Sequence, residues 1–437
     1  MQAAWEGASK QAANLALALL FALLMFAGPA PLIADKAPQL IQDITIEGLE
    51  RTRPRTVLRQ LPFRPGDRWQ PSMAETGERW LRNLGLFSEV HIRPPDHRGI
   101  VHIIVRERWS LWLLPQFSRK DNGDSSAGMA LDEYNFWGLN HHLHLAYIRD
   151  TGKNFSNLNG TSYQAGYDWL RIRDSMWNLH LSGSRGNALF DSYQQGALVA
   201  QYLQSGNNIA LSVDYGLGPV PDEGWSLSFG LSLNHTNFHL LAGPPQADVQ
   251  GTRKHAILAG ASYRQLDDRI TWIRGTAFDY QASYAPKWLG STIHVLRQTL
   301  SWRNYQPIHG HDTINYRLEA GLATGEVLRD GLFDLGNRNG IRGYYPGEVQ
   351  SKSYLIGSLE GRFLPWQDGN IQLVPFADVG LLPGRSYAYA GKNTFIGVGA
   401  GIRWTLRWLI HGTLRGDAAY GFATHRWRFY LGTGQAF

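Results

Sequence analysis

From about Ser110 to Phe437, apolar and polar residues alternate one for one through segment after segment. Few folds accept that pattern over so long a stretch. Ile314, Tyr316, Leu318, Ala320 and Leu322 fall on one face of an extended chain, with Asn315, Arg317, Glu319 and Gly321 on the other. Trp225, Leu227, Phe229, Leu231 and Leu233 alternate with Ser226, Ser228, Gly230 and Ser232 in the same way. Ile396, Val398, Ala400, Ile402 and Trp404 do so against glycines and Arg403. A soluble sandwich also alternates, but it buries its apolar face and uses shorter strands. Here the polar faces carry charge and glycine and the apolar faces end in Trp or Tyr, as lipid outside and a wet lumen inside require. The expected fold is an all-β transmembrane antiparallel barrel.

Strand counting gives about seventeen candidates, with starts near 174, 193, 206, 225, 253 and 270 among them. A bacterial barrel with both ends on one side needs an even number. The odd segment is expected between Tyr215 and Thr292.

Composition narrows the remaining classes. With no cysteine, disulfide frameworks, thiol nucleophiles and thiolate metal sites are excluded together. The formal charge of +6 is spread through interspersed basic and acidic residues, so nucleic acid is not an expected partner. A polar lumen or anionic lipid at the rim accounts for the balance. After the N-terminus no apolar run reaches the roughly 18 to 20 residues of a membrane helix. The run LALALLFALLMFAG ends at Gly28, follows Lys10 and precedes Ala30 and Ala34, the layout of a signal peptide over residues 1–34.

Between them, residues 35–108 read as strand, helix, helix, strand, strand. Ser72-Met73-Ala74-Glu75 matches a capping box for the second helix, and Met73, Trp80, Leu81 and Leu84 recur at helical spacing as a buried stripe. With Gly48-Leu49-Glu50-Arg51-Thr52, Pro65-Gly66-Asp67 and Leu84-Gly85-Leu86-Phe87-Ser88-Glu89-Val90, this order resembles a single POTRA domain. The resemblance implies a periplasmic docking module whose strand edges accept extended client segments by β-augmentation. The barrel would then occupy 109–437.

One loop stands apart from the alternation: FDLGNRNGIRGYYPGE, Phe333 to Glu348. Its Arg342-Gly343-Tyr344 resembles the sixth-loop signature of the BamA and TamA class of outer-membrane assembly and translocation barrels, with Gly336-Asn337 where that family often has Gly-Gly. Pro375-Phe376-Ala377-Asp378-Val379-Gly380 has that family's Phe-x-Asp-x-Gly form. The resemblance implies sixteen strands and a loop folded inward, its Arg342 meeting Asp378 in a lock formed by Arg342, Gly343, Tyr344, Phe376, Asp378 and Gly380. Glu360 and Arg362 share the polar face of the adjacent strand, where two readings stay open, an extension of this network and, the favoured one, solvated lumen charges.

The C-terminus, with Phe429 and Leu431 on one face and terminal Phe437, resembles the β-signal read by assembly machinery. In the insertases of this family the first and last strands pair poorly, which implies a lateral seam between the strand near Ser110 to Arg119 and the strand near Trp427 to Phe437, where Gly432 and Gly434 remove side-chain contacts. The resemblance implies a monomeric bacterial outer-membrane barrel that inserts or translocates unfolded client proteins, with the lipid bilayer and a periplasmic protein as partners. Two alternatives remain open. A two-partner-secretion translocator typically carries two POTRA domains and a plug helix; a passive channel or structural surface barrel would need no POTRA.

Catalytic chemistry is not visible. No phosphate-loop spacing or Gly-x-Ser-x-Gly elbow occurs, so neither an enzyme nor a cofactor is expected. In His141-His142-Leu143-His144 only His142 and His144 share a strand face, and no carboxylate or cysteine set lies alongside in sequence. These histidines are expected near a periplasmic turn or facing the lumen, without a metal.

Overall fold

The computed structural model describes residues 39–119, 125–151, 159–194, 197–337, 339–366, 369–383 and 392–434. The expected leader at 1–34 and the terminal Phe437 lie outside these residues.

The N-terminal unit is a three-stranded sheet of β1 (Asp43–Glu47), β2 (Phe87–Arg93) and β3 (Ile100–Glu107), in the order β1-β3-β2, with β1 and β3 parallel. Helices Pro54–Leu58 and Pro71–Asn83 lie between β1 and β2 in the chain. Val57, Phe63, Leu81, Leu86, Phe87, Val101 and Ile103 form one buried cluster, with Met73 and Leu84 packed at its border. The capping box is not formed. The second helix starts two residues earlier than a cap at Ser72 would place it, on Pro71 after an extended Gln70, and no side chain caps it. Proline supplies the helical φ and has no N–H to satisfy, so it takes the first helical position and leaves Ser72 inside the first turn.

The remainder is a sheet of sixteen antiparallel strands, each beside its neighbour in sequence. These are β4 (Leu111–Arg119), β5 (Ser125–Phe136), β6 (His141–Thr151), β7 (Asn159–Trp169), β8 (Trp177–Gln194), β9 (Ala197–Gly216), β10 (Gly224–Ala242), β11 (Thr252–Asp268), β12 (Ile273–Ala285), β13 (Val295–His309) and β14 (Asp312–Gly325). After a long loop come β17 (Ser353–Arg362), β18 (Ile371–Leu381), β19 (Thr394–Thr405), β20 (Thr413–Gly421) and β21 (Arg426–Thr433). Within the loop, β15 (Phe333–Asp334) pairs with β16 (Gln350–Ser351).

The surplus strand lies before Tyr215, not after it. The segments expected near 193 and 206 are one twenty-residue strand, β9, paired continuously with β10 from Tyr202 to Gly216.

The two faces invert the distribution of a soluble protein. Leu227, Phe229, Leu231, Leu233, Leu318, Leu355 and Leu359 are exposed on the outside, while Arg317, Glu360, Arg362 and Arg403 are buried inside. That arrangement is stable only when lipid takes the place of water around the wall. A tilted strand crosses the hydrocarbon with about 9 to 11 residues, so β8, β9 and β10, at 18, 20 and 19 residues, project well beyond it. On β10 the outward apolar series stops at Leu233, and His235 and Asn237 follow on the same face.

At the opposite mouth the N-terminal unit is held by five hairpin turns. Thr56 Oγ1 donates to Gly138 O at 2.8 Å in the β5–β6 turn. Arg55 and Arg59 each lie 3.2 Å from Asp174 in the β7–β8 turn. Arg79 pairs with Glu223 at 2.7 Å before β10, and Arg82 with Asp267 at 3.3 Å at the end of β11. Arg108, whose burial lowers its pKa to about 10, stays charged at neutral pH. It spends that charge on carbonyls, donating at 3.0 Å to Arg407 O and 3.0 Å to Gly85 O and also to Leu409 O, which ties the unit to the β19–β20 turn.

Reversing one of these charges should loosen the docking locally. In Arg79→Glu, hydrogen exchange of the amides around Glu223 is expected to rise about tenfold, corresponding to about 1.4 kcal/mol. The double reversal with Glu223→Arg should restore it. Exchange in Arg79→Glu equal to the wild type would mean that the pair adds nothing to the junction.

Candidate functional site

The long loop between β14 and β17 turns back into the lumen. Asp334 accepts the Gly347 amide at 2.9 Å, closing the base of its tip. Asn337 Oδ1 accepts the Asn339 and Gly340 amides at 2.8 and 2.7 Å, so the asparagine side chain builds the turn that Gly-Gly would leave to backbone alone.

At the tip Arg342 is buried, and so are its partners. Its Nε and Nη2 donate to the two oxygens of Asp378 on β18 at 2.7 and 2.9 Å, and its own backbone amide reaches Asp378 Oδ2 at 3.1 Å. Nη1 donates to Glu360 Oε2 on β17 at 2.9 Å. The Phe376 ring, two residues before Asp378 and on the same face, lies 3.4 Å from the guanidinium carbon. A planar cation held by two bidentate oxygens, a third carboxylate oxygen and an aromatic face is fixed in direction as well as position.

Glu360 and Arg362 are not solvated lumen charges. Both are buried, and Arg362 Nε donates to Glu360 Oε1 at 2.8 Å. The inward row continues across the wall: Arg403 on β19 donates to Asp417 on β20 at 2.6 Å, and Arg415 Nε reaches the other oxygen of Asp417 at 2.5 Å. Arginines outnumber carboxylates along this row. The loop supplies further acceptors: Arg317 donates to Asn339 O and, at 3.1 Å, to Gly340 O, while Arg415 donates to Asn339 Oδ1 at 3.1 Å.

Gly343 adopts φ +100°, which lets the chain turn directly after the arginine. Tyr344 is buried; its hydroxyl donates to Ile396 O at 3.0 Å and accepts from the Ala423 amide at 3.0 Å. Gly380 faces Ile341.

The last strand also grips the loop, through residues that sequence reasoning passed over. Tyr430 Oη accepts the Gly343 amide and donates to Tyr344 O, both at 2.9 Å. Arg428 donates to Glu348 at 2.9 Å and lies over the Tyr345 ring. Phe429 and Leu431, on the alternate positions, point outward and are exposed. Their outward direction was the available signal, because it sends Arg428 and Tyr430 into the lumen. Gly434 closes the strand with φ +79°, and its backbone amide donates to Thr413 O at 2.8 Å.

His142 and His144 face the lumen near the other mouth. The expectation that no carboxylate accompanies them is corrected by Asp132 of β5, which lies 2.9 and 2.7 Å from their ring nitrogens. It comes from the neighbouring strand, so no local sequence pattern shows it.

Residues 135–437 match the family model described as the Omp85 superfamily domain. The chain belongs to the Omp85 superfamily. Residues 39–108 match the POTRA model, described as a surface antigen variable number repeat. A stretch of 84 residues, 19% of this Omp85 chain, is 36% identical to the outer membrane protein assembly factor BamA of Neisseria meningitidis serogroup B and spans only 10% of that relative. Among solved structures, BamA from Haemophilus ducreyi lacking POTRA domains 1–3 has a TM-score of 0.52 at 15% identity, covering 90% of this chain and 83% of that one. CdiB from Escherichia coli has a TM-score of 0.59 at 15% identity, covering 91% and 74%. CdiB from Acinetobacter baumannii has 0.56 at 16%, covering 88% and 70%. At these identities the likeness to solved structures is one of fold.

Proposed function

We propose that this Omp85 protein resides in the bacterial outer membrane and inserts client polypeptides there, with residues 1–34 as its leader, 35–108 as a periplasmic POTRA domain and 109–437 as the barrel. The observation that carries the proposal is the attachment of the arginine-locked loop to β21 through Tyr430 and Arg428. β21 and β4 are the two ends of the strand order, and at eight and nine residues they are among the shortest strands of the wall. The described residues give no ladder register between them.

A wall that parts at this seam exposes backbone donors and acceptors that lipid cannot satisfy. An incoming client strand satisfies them, which couples its pairing to its insertion. The locked loop keeps β21 in place while the edge exchanges partners. The POTRA sheet has β1 and β2 at its edges, where an extended client can add a strand before it reaches the barrel. Client folding supplies the direction, and neither a nucleotide nor a cofactor takes part.

The test is depletion of the protein in its host, followed by quantitative proteomics of outer-membrane and secreted fractions. Loss of several barrel proteins is the expected result. Loss of one secreted protein alone would replace insertion by dedicated translocation, and unchanged fractions would move a channel or structural role ahead.

A further inference from the structure

On the inner wall near the POTRA-side mouth, a second polar row has no part in the loop lock. Asp132 of β5 stands opposite His144 of β6, His142 opposite Asp168 of β7, and Asp168 opposite His180 of β8. His142 Nε2 and His144 Nδ1 both converge on Asp132 Oδ1, at 2.9 and 2.7 Å. One ligating atom from each of the three residues lies within 4.8 Å of the others.

We propose that His142 Nε2, His144 Nδ1 and Asp132 Oδ1 bind a divalent transition-metal ion of the Zn2+ type. Two imidazoles and one carboxylate select Zn2+, Co2+ or Ni2+ over Mg2+ and Ca2+, which take oxygen ligands. Bonds of about 2.0 to 2.2 Å to a tetrahedral ion place ligand atoms roughly 3.3 Å apart. The two histidine-to-carboxylate separations, 2.9 and 2.7 Å, therefore lengthen by only about half an ångström each to admit the ion. That movement is within side-chain reach, since the pairs sit on adjacent strands in fixed register.

Orientation is provided in advance. The second nitrogen of His142 faces Asp168 Oδ2 at 3.2 Å, the carboxylate–histidine arrangement that fixes the tautomer of a metal-bound imidazole. Asp168 is itself held by His180 Nδ1 at 2.8 Å, and His180 Nε2 by Asp214 at 2.5 Å. The Tyr134 ring stacks on His142 at 4.4 Å with 7° between planes, setting the imidazole plane. Three protein ligands leave a coordination position for water, and the side chains of all three residues are partly exposed, so an ion can enter.

The experiment uses the full chain folded in detergent micelles, stripped with chelator and titrated with Co2+, followed by visible absorption and by competition with Zn2+. Wild type should bind one equivalent with a tetrahedral spectrum. His144→Gln should weaken binding by about a hundredfold, and Asp168→Asn, which removes only the orienting carboxylate, by about tenfold to a hundredfold. His239→Gln, on the outward face of β10, should change nothing. Heat-modifiable gel migration checks that each variant is folded; His142→Gln replaces any that is not. Wild-type binding no tighter than that of the folded His142 or His144 variant would overturn the site.

Discussion

Arg342→Ala is expected to destabilise the barrel by about 3 to 5 kcal/mol, the cost of leaving buried charge without its partner. Every described hydrogen bond to the Asp378 carboxylate comes from Arg342, two from the guanidinium and one from the backbone amide. Truncation removes the two strong ones and leaves a carboxylate buried with a single amide. Glu360 keeps Arg362 and, at 3.7 Å, Arg403, so the loss concentrates on β18. Arg342→Lys should recover little, because an ammonium cannot span both oxygens of Asp378, reach Glu360 and lie flat on Phe376 together.

The measurement is the denaturant midpoint of barrel unfolding in micelles, read by gel migration. Asp378→Asn should fall between wild type and Arg342→Ala, since the amide oxygen still accepts one bond. Complementation of a depleted host should follow the same ranking. A wild-type midpoint for Arg342→Ala would show that Tyr344, Tyr430 and Glu348 hold the loop without the arginine.

Much of this architecture is legible because lipid enforces the alternation. Where a strand leaves the lipid, the signal stops although the strand does not. On β9 the outward residues Tyr215, Val213, Leu211 and Ile209 are apolar, and the next two, Asn207 and Ser205, are polar. Ser205-Gly206-Asn207-Asn208 therefore reads as a turn. Pairing overrides the turn preference: Gly206 stands opposite Gly186 on one side and Thr236 on the other.

The same distinction applies to the lock. Arg342 and Asp378 are legible through their motifs. The contribution of Glu360, Arg362, Arg403 and Asp417 depends on register across β17 to β20, which no single strand encodes. Burial then turns charges that look solvated in sequence into one paired network.

The second large effect concerns space rather than charge. Gly397 of β19 lies against the backbone of the loop: a Cβ there would stand 1.7 Å from the carbonyl oxygen of Arg342. Backbone in a filled lumen cannot retreat as a side-chain tip can, so Gly397→Ala should displace Arg342 from Asp378. The expected cost is the roughly 1 to 3 kcal/mol of overpacking, with much of the Arg342→Ala penalty added as the pair separates. Gly380→Ala is the internal control. Its Cβ would meet the Ile341 Cδ1 methyl at 2.2 Å and Cγ1 at 3.1 Å, a flexible side chain that can rotate away. We expect a loss near the low end of overpacking, about 1 kcal/mol, with the lock intact. Hydrogen exchange at the Arg342 amide separates the cases, rising strongly in Gly397→Ala and little in Gly380→Ala. Equal exchange in the two variants would mean that the loop adjusts freely, and a loop that adjusts freely could not hold β21.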